Sequence, residues 1–379
     1  MDHHQELKVK KISPKLESYF QAIVKANASD LHLKIGSKPY VRVGSIMRHF
    51  KESPLLREDV NDMAHSLMTQ EQEAYFHEYG NVDLAHEVLD GDRFRINIFR
   101  QRGEISIAVR RVTRVIPSFS ELNLPPEVSE IVEAEDHGLI LLAGPTGCGK
   151  STTIASMLEN INATRRCHII TIEDPIEYLY EDKKALVSQR EIGIDVPNFR
   201  TALRSMLRED PDVVLIGEMR DFETFEAALQ ASETGHLVFG TIHASTAPQT
   251  ISRILELFPT ESHHLILQSL AFNLRAIICQ KLLPCVKKDL MRVPAVEILQ
   301  MNPTVRQLLE TGRDNELGDV IRSHEADGMR SFTRSLFELI EKDLIDPKVA
   351  YTVAPNAEEL KMMLKGISQS QRGLIGRQR

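Results

Sequence analysis

Four cysteines are all that this chain of 379 residues carries, at positions 148, 167, 279 and 285. None belongs to a C-x-x-C pair, so neither a tetracysteine zinc site nor a disulfide framework is available. A reducing, cytoplasmic compartment suits such a chain. Long apolar runs are missing as well. The longest are strand-sized, too short to span a bilayer, and the polar, charged N-terminal stretch holds no apolar signal core. Any membrane is therefore reached through a partner protein. Positive charge is in deficit: 46 Lys and Arg face 54 Asp and Glu, for a formal net charge of −8. That balance argues against a protein devoted to neutralising phosphate backbones, so no direct nucleic-acid contact is expected. No asparagine begins the N-K-x-D motif by which a GTPase reads its base. There is also no internal repeat at the periods of solenoids.

Against these absences stands one dense motif. Gly144-Pro145-Thr146-Gly147-Cys148-Gly149-Lys150-Ser151 matches G-x-x-x-x-G-K-[ST], the P-loop. The glycines let the backbone turn so tightly that its N–H groups point inward at phosphate oxygens. Lys150 reaches the β- and γ-phosphates, and Ser151 offers a hydroxyl to Mg²⁺. The helix that follows, through Thr152, turns its positive end toward the anion. The apolar run Leu139–Ala143 before the loop reads as a buried strand, which completes the required strand–loop–helix order. ATP and Mg²⁺ are the implied ligands. Cys148 stands at a helix N-terminus, where a thiol pKa can fall; as a small tolerated residue it needs no such role.

Three more clusters end apolar runs. Thr171-Ile172-Glu173-Asp174-Pro175-Ile176-Glu177 places three carboxylates just past a buried strand, where they face a cation or activate water. Val213–Ile216 ends in Gly217-Glu218, a Walker B arrangement with glycine at the usual aspartate position. Glu218 polarises a water or holds the metal through one. Gly235-His236 and Thr241-Ile242-His243 bracket one strand, and the two histidines are candidate γ-phosphate sensors. In the N-terminal region six arginines crowd one hairpin. Arg93, Arg95 and Arg110 are the candidates for offsetting charge on the transferring phosphoryl group, in cis or in trans.

Period-two alternation through Leu31–Ile35, Val41–Val43, Phe94–Ile98 and Ile105–Val109 predicts half-buried antiparallel strands, with helices over 15–27 and 57–72. The domain order that follows is an α+β domain over 1–110 and a Pro- and Ser-rich linker over 111–126. An α/β P-loop core then spans 127–290, with short parallel strands whose C-terminal ends carry the polar clusters. A helical region follows over 291–367, and a basic, disordered tail over 368–379.

Taken together, Ala28-Ser29-Asp30-Leu31-His32-Leu33, Arg93-Phe94-Arg95-Ile96-Asn97, Gly144–Thr152, Thr171–Glu177, Gly217–Asp221 and Gly235–His243 resemble the secretion-type hexameric ATPases. Within them they resemble the type IV pilus retraction ATPases, over residues of about 12–367. The resemblance implies a RecA-like P-loop domain preceded by a smaller PAS-like α+β domain. It implies a cytoplasmic homohexamer that hydrolyses ATP to retract pili in twitching motility. Its implied partners are an inner-membrane pilus platform protein and a paralogous pilus ATPase. It makes Glu173 the base that activates water and gives Glu218 to Mg²⁺, whereas the offset from the Walker B strand alone favours Glu218 as base. The lack of a tetracysteine insertion and of an extra N-terminal domain selects the retraction branch over pilus-assembly and type II secretion ATPases. A nucleic-acid translocase shares the fold and remains the alternative of a different class. Thr304–Thr311 departs from the retraction pattern by lacking its asparagine and second arginine.

Overall fold

The computed structural model describes residues 12–366 apart from 45, 89–91, 113, 288 and 289. The tail expected over 368–379 lies outside the described residues. The chain divides into two compact units, one taking residues up to 115 with 177–179, the other 116–176 and the chain from 180 onward.

The first unit is built on strands β1 (Asp30–Lys34), β2 (Tyr40–Val43), β3 (Ile46–His49), β4 (Asn81–Glu87), β5 (Arg93–Gln101) and β6 (Glu104–Val112). They form one antiparallel sheet in the order β3-β2-β1-β6-β5-β4. Alternation sends Leu31, Leu33, Phe94, Ile96, Ile98, Ile107 and Val109 into one core with Leu16, Phe20 and Ile23 of the helix Pro14–Lys25. Phe20 stacks on Phe94 with ring centroids 4.4 Å apart. The single helix expected over 57–72 is two helices, Arg57–Leu67 and Gln70–Tyr79. Thr69 breaks it by capping the second: its hydroxyl accepts from the Gln72 N–H at 3.2 Å, and its own N–H donates to the Gln72 side chain at 2.9 Å. The strand β6 also absorbs Arg111 and Val112, which sequence pattern assigns to the linker. Arg111 is fixed there by Asp92, 2.9 Å from its Nε.

The second unit contains β7 (Gly138–Ala143), β8 (His168–Glu173), β9 (Leu186–Glu191), β10 (Val213–Ile216), β11 (Leu237–Ile242), β12 (Leu274–Pro284) and β13 (Arg292–Gln300). The sheet order is β13-β12-β7-β11-β10-β8-β9, parallel throughout except for the antiparallel β12–β13 pair. Helices cover both faces, which explains why these strands read as unbroken apolar runs. Leu139, Leu141, Ile170, Ile172, Val214 and Val238 fill one core. Their neighbours Ile140, Leu142, Ile169, Val213, Leu215 and Leu237 fill the other. Residues 292–300, expected within the helical region, are the strand β13. Its Val293, Ala295 and Leu299 pack in the first core and Val296 and Ile298 in the second. The helices of the C-terminal region begin at Pro303. Among the described residues no helix is long and apolar enough to cross a membrane.

Candidate active site

The P-loop leaves the C-terminal end of β7, and the helix Lys150–Thr164 begins inside it. Gly144, Gly147 and Gly149 all have φ between 75° and 156°, the region that favours glycine. Space excludes side chains too. A Cβ on Gly144 would lie 2.4 Å from the Cys148 Sγ and 2.6 Å from the Gln280 carbonyl oxygen. Lys150 folds back over the loop, its Nζ donating to the carbonyl oxygens of Gly144 at 2.8 Å and Pro145 at 3.2 Å. The backbone turn, the lysine above it and the helix N-terminus together fit a polyphosphate.

Gln280 of β12 braces this loop, and nothing in the sequence points to it. Its Nε2 donates to the Cys148 carbonyl at 2.6 Å, and its Oε1 accepts from the Thr153 hydroxyl at 2.8 Å. It is buried, as is Cys148. Burial pushes the Cys148 thiol pKa up, despite the Lys150 charge nearby. The lowered pKa that a helix N-terminus can confer is therefore not realised here.

The remaining clusters line up on the same sheet edge because β7, β11, β10 and β8 are adjacent and parallel. Glu173, at the end of β8, is only 8% exposed. The Thr171 hydroxyl donates to its Oε1 at 2.7 Å and the Gln189 amide approaches at 3.4 Å. Next to it, the Gly217 N–H donates to the Ile172 carbonyl at 2.8 Å. A Cβ at 217 would sit 3.2 Å from that oxygen and 3.3 Å from the Glu173 Cα. Glycine in the usual aspartate position thus lets β10 close tightly on the strand end that carries Glu173. Glu218 follows, ion-paired to Arg220 and accepting from His243 Nε2 at 2.9 Å. Burial raises the Glu218 pKa, but Arg220 and His243 outweigh it and hold the carboxyl below its ordinary range. Glu218 is consequently an anion at neutral pH, suited to a metal-side role.

His236 is the exception. It precedes β11 at the opposite end from His243, and its carbonyl accepts from the Gly138 N–H, where β7 begins. Its Nδ1 lies 2.9 Å from the Ala231 carbonyl and 3.0 Å from the Thr234 hydroxyl. The six residues of β11, at about 3.3 Å each, separate the two histidines. The structure therefore separates the two candidate sensors: His243 stands at the P-loop edge and His236 at the far one.

Arg93, Arg95 and Arg110 belong to the first unit. Arg95 and Arg110 stand directly across from each other on β5 and β6. Arg110 Nε donates to Asp30 at 2.9 Å, and Arg95 lies 3.8 Å from Asp83. Asp30 is buried, yet bonds from Ser29 and Arg110 hold its pKa below the ordinary value.

The comparisons with known proteins accord with this geometry. The family model described as "Type II/IV secretion system protein" matches residues 5–318. The type IV pilus retraction ATPase PilT of Pseudomonas aeruginosa is 40% identical over 321 residues, covering 85% of this chain and 92% of the relative. The chain belongs to the PilT-like branch of the type II/IV secretion ATPases. The type IV pilus ATPase PilU of the same organism is 34% identical over 354 residues, 93% of this chain and 92% of that one. A crystal structure of the pilus retraction motor PilT with bound ADP superposes with a TM-score of 0.83 at 43% identity, covering 91% of this chain and 98% of the other. The second unit is accordingly a RecA-like ATPase core, and this PilT-like chain binds nucleotide and hydrolyses ATP.

Proposed function

We propose that this PilT-like ATPase is a ring of six subunits that retracts type IV pili from the cytoplasmic face of the inner membrane, acting on a platform protein there. The observation that carries the reading is the likeness to PilT over 85% of this chain and 92% of that relative, joined to a P-loop edge that carries Lys150, Glu173, Glu218 and His243.

In this reading Gly144–Thr152 cradles the phosphates, and Lys150 exchanges its two carbonyl partners for phosphate oxygens. The Ser151 hydroxyl and the Glu218 carboxylate are the groups that would hold Mg²⁺, which would supply positive charge against the phosphates. Glu173, oriented by Thr171 and Gln189, accepts the proton of the attacking water. His243, tied to Glu218, senses loss of the γ-phosphate and passes it along β11. Arg93, Arg95 and Arg110 offset charge on the transferring group from the same or a neighbouring subunit. The segment after β6 flexes as the nucleotide turns over. The likeness to PilU favours a second role, as accessory subunit to a paralogous motor.

The test is replacement of the chromosomal gene by Lys150→Ala or Glu173→Gln. Each should reduce ATP turnover by about 10²-fold or more and leave cells piliated but unable to retract. Retraction that continues with either variant contradicts the main-motor reading. If retraction then fails only when a paralogue is also removed, the accessory role holds.

A further inference from the structure

The ladder between β10 and β11 ends at Ile216 opposite Gly240, short of Glu218. Beyond that point Thr241 of β11 takes hold of the chain on both sides of Glu218. Its hydroxyl donates to the Gly217 carbonyl at 2.7 Å. Its own carbonyl accepts from the Met219 N–H at 3.0 Å. Thr241 is buried, and so is Met219. The Met219 side chain lies so close over Gly240 that a Cβ there would stand 2.0 Å from its Cε. A β-branched valine fits β11 as well as threonine does, but it cannot donate to Gly217.

The same stretch of chain holds the P-loop. Thr241 is registered opposite Leu142 of β7, and the Ile242 carbonyl accepts from the Gly144 N–H at 3.3 Å. His243 then reaches the Glu218 carboxylate at 2.9 Å. Three successive residues therefore grip the start of the phosphate loop, the backbone around Glu218 and the tip of its side chain. The grips differ in firmness. Arg220 and His243, which hold the tip, have side chains 74% and 48% exposed, and exposed ion pairs are weak restraints. The buried hydroxyl of Thr241 is the fixed point. We infer that Thr241 is a positioning residue for Glu218, one that sets the distance between that carboxylate and the phosphate cradle.

This inference rests on the metal-side role proposed for Glu218. A carboxylate and a phosphate share one divalent cation only at a fixed spacing, and a misplacement of about 1 Å is costly. Without the Thr241 hydroxyl the Gly217 carbonyl loses its donor, and the 217–219 segment is free to shift against β11. The phosphate cradle itself keeps its supports, because Lys150 and the Gln280 brace do not involve Thr241. The loss therefore falls on the part of nucleotide binding that depends on Mg²⁺, and the metal-free part is spared. A general weakening of the fold has no such selectivity.

Calorimetric titration of the full-length protein with the non-hydrolysable analogue AMP-PNP tests this, once in Mg²⁺ and once in EDTA. Thr241→Val should weaken binding about tenfold in Mg²⁺ and leave the affinity in EDTA unchanged. Thr241→Ser, which keeps the hydroxyl, should match the parent in both. Should Thr241→Val not fold, Thr241→Ser and Thr241→Ala are compared instead, since they differ by the hydroxyl alone. Equal weakening in Mg²⁺ and EDTA, or parental affinity in both, overturns the positioning role. Glu218→Gln separates this inference from the reading beneath it. If that variant keeps the parental gain from Mg²⁺, the metal-side role of Glu218 fails. If it loses the gain while Thr241→Val keeps it, the positioning role alone fails.

Discussion

Lys150, Glu173 and Glu218 are recognisable because each sits in a short local pattern, but the side chain that holds the P-loop in shape is not. Thr153 and Gln280 are 127 positions apart, and only the parallel β7–β12 pairing brings them together. Gln280→Leu leaves the Cys148 carbonyl and the Thr153 hydroxyl without partners, at a cost of about 1–3 kcal/mol. The expected result is a KM for ATP raised about tenfold with kcat less affected, read from steady-state kinetics. His236 and His243 bracket one strand, and a strand sends its ends to opposite edges of a sheet; His243 is the one at the P-loop edge. Glu297 gives a pH prediction at this scale. Its folded pKa of about 7 exceeds the ordinary 4.5, so the native state binds the extra proton between those values. Stability contributed by this group is full below about 4.5 and is lost as pH rises toward 7. Denaturation curves of the parent and Glu297→Gln should therefore diverge over that window, with the variant gaining relative stability at the higher pH. Parallel curves would show that the carboxyl is not held protonated.

Among the elements, the helix Pro126–Ala134 that opens the second unit is tied to the C-terminal region by charge. Arg330, 7% exposed, pairs with Glu127 of that helix at 2.7 Å and with Glu338 at 2.8 Å. Its backbone pairs with Ile298 of β13. Glu127 Oε2 and Arg330 Nε remain buried without partners, so the network is incompletely satisfied. Arg330→Met strands two carboxylates and should destabilise the protein by about 3–5 kcal/mol in chemical denaturation. Adding Glu127→Leu and Glu338→Leu should recover most of that loss. A single Arg330→Met with parental stability would show that the pairs contribute nothing. At this scale the sequence was most legible where pattern and burial agree. The strands β7, β10 and β11 are bounded by glycines or acids and are apolar on both faces, and they fall close to the predicted ranges. β13 was hidden because its run is followed at once by helical periodicity, and strand and helix cannot be separated by apolar content alone in so short a stretch. The break at Thr69 was written as a capping box, but the apolar spacing on either side carried the helix reading across it.

At the scale of the whole molecule, two units with separate cores divide the chemistry. The second carries the P-loop edge with Lys150, Glu173, Glu218 and His243, and the first carries Arg93, Arg95 and Arg110. An arginine that completes a site in a neighbouring subunit makes hydrolysis a property of the assembly rather than of the chain. The direction of the motor leaves no mark on these residues, since assembly and retraction share one chemistry; the retraction reading came from the resemblance and from the missing tetracysteine insertion. The most direct measurement is Mg²⁺-dependent ATP hydrolysis per chain across a protein concentration series, with the mass distribution of the same samples taken by mass photometry. Turnover per chain that climbs with the hexamer fraction, and vanishes in Lys150→Ala at every concentration, is the predicted result. Constant turnover from monomer to hexamer would contradict a ring motor whose sites neighbours complete.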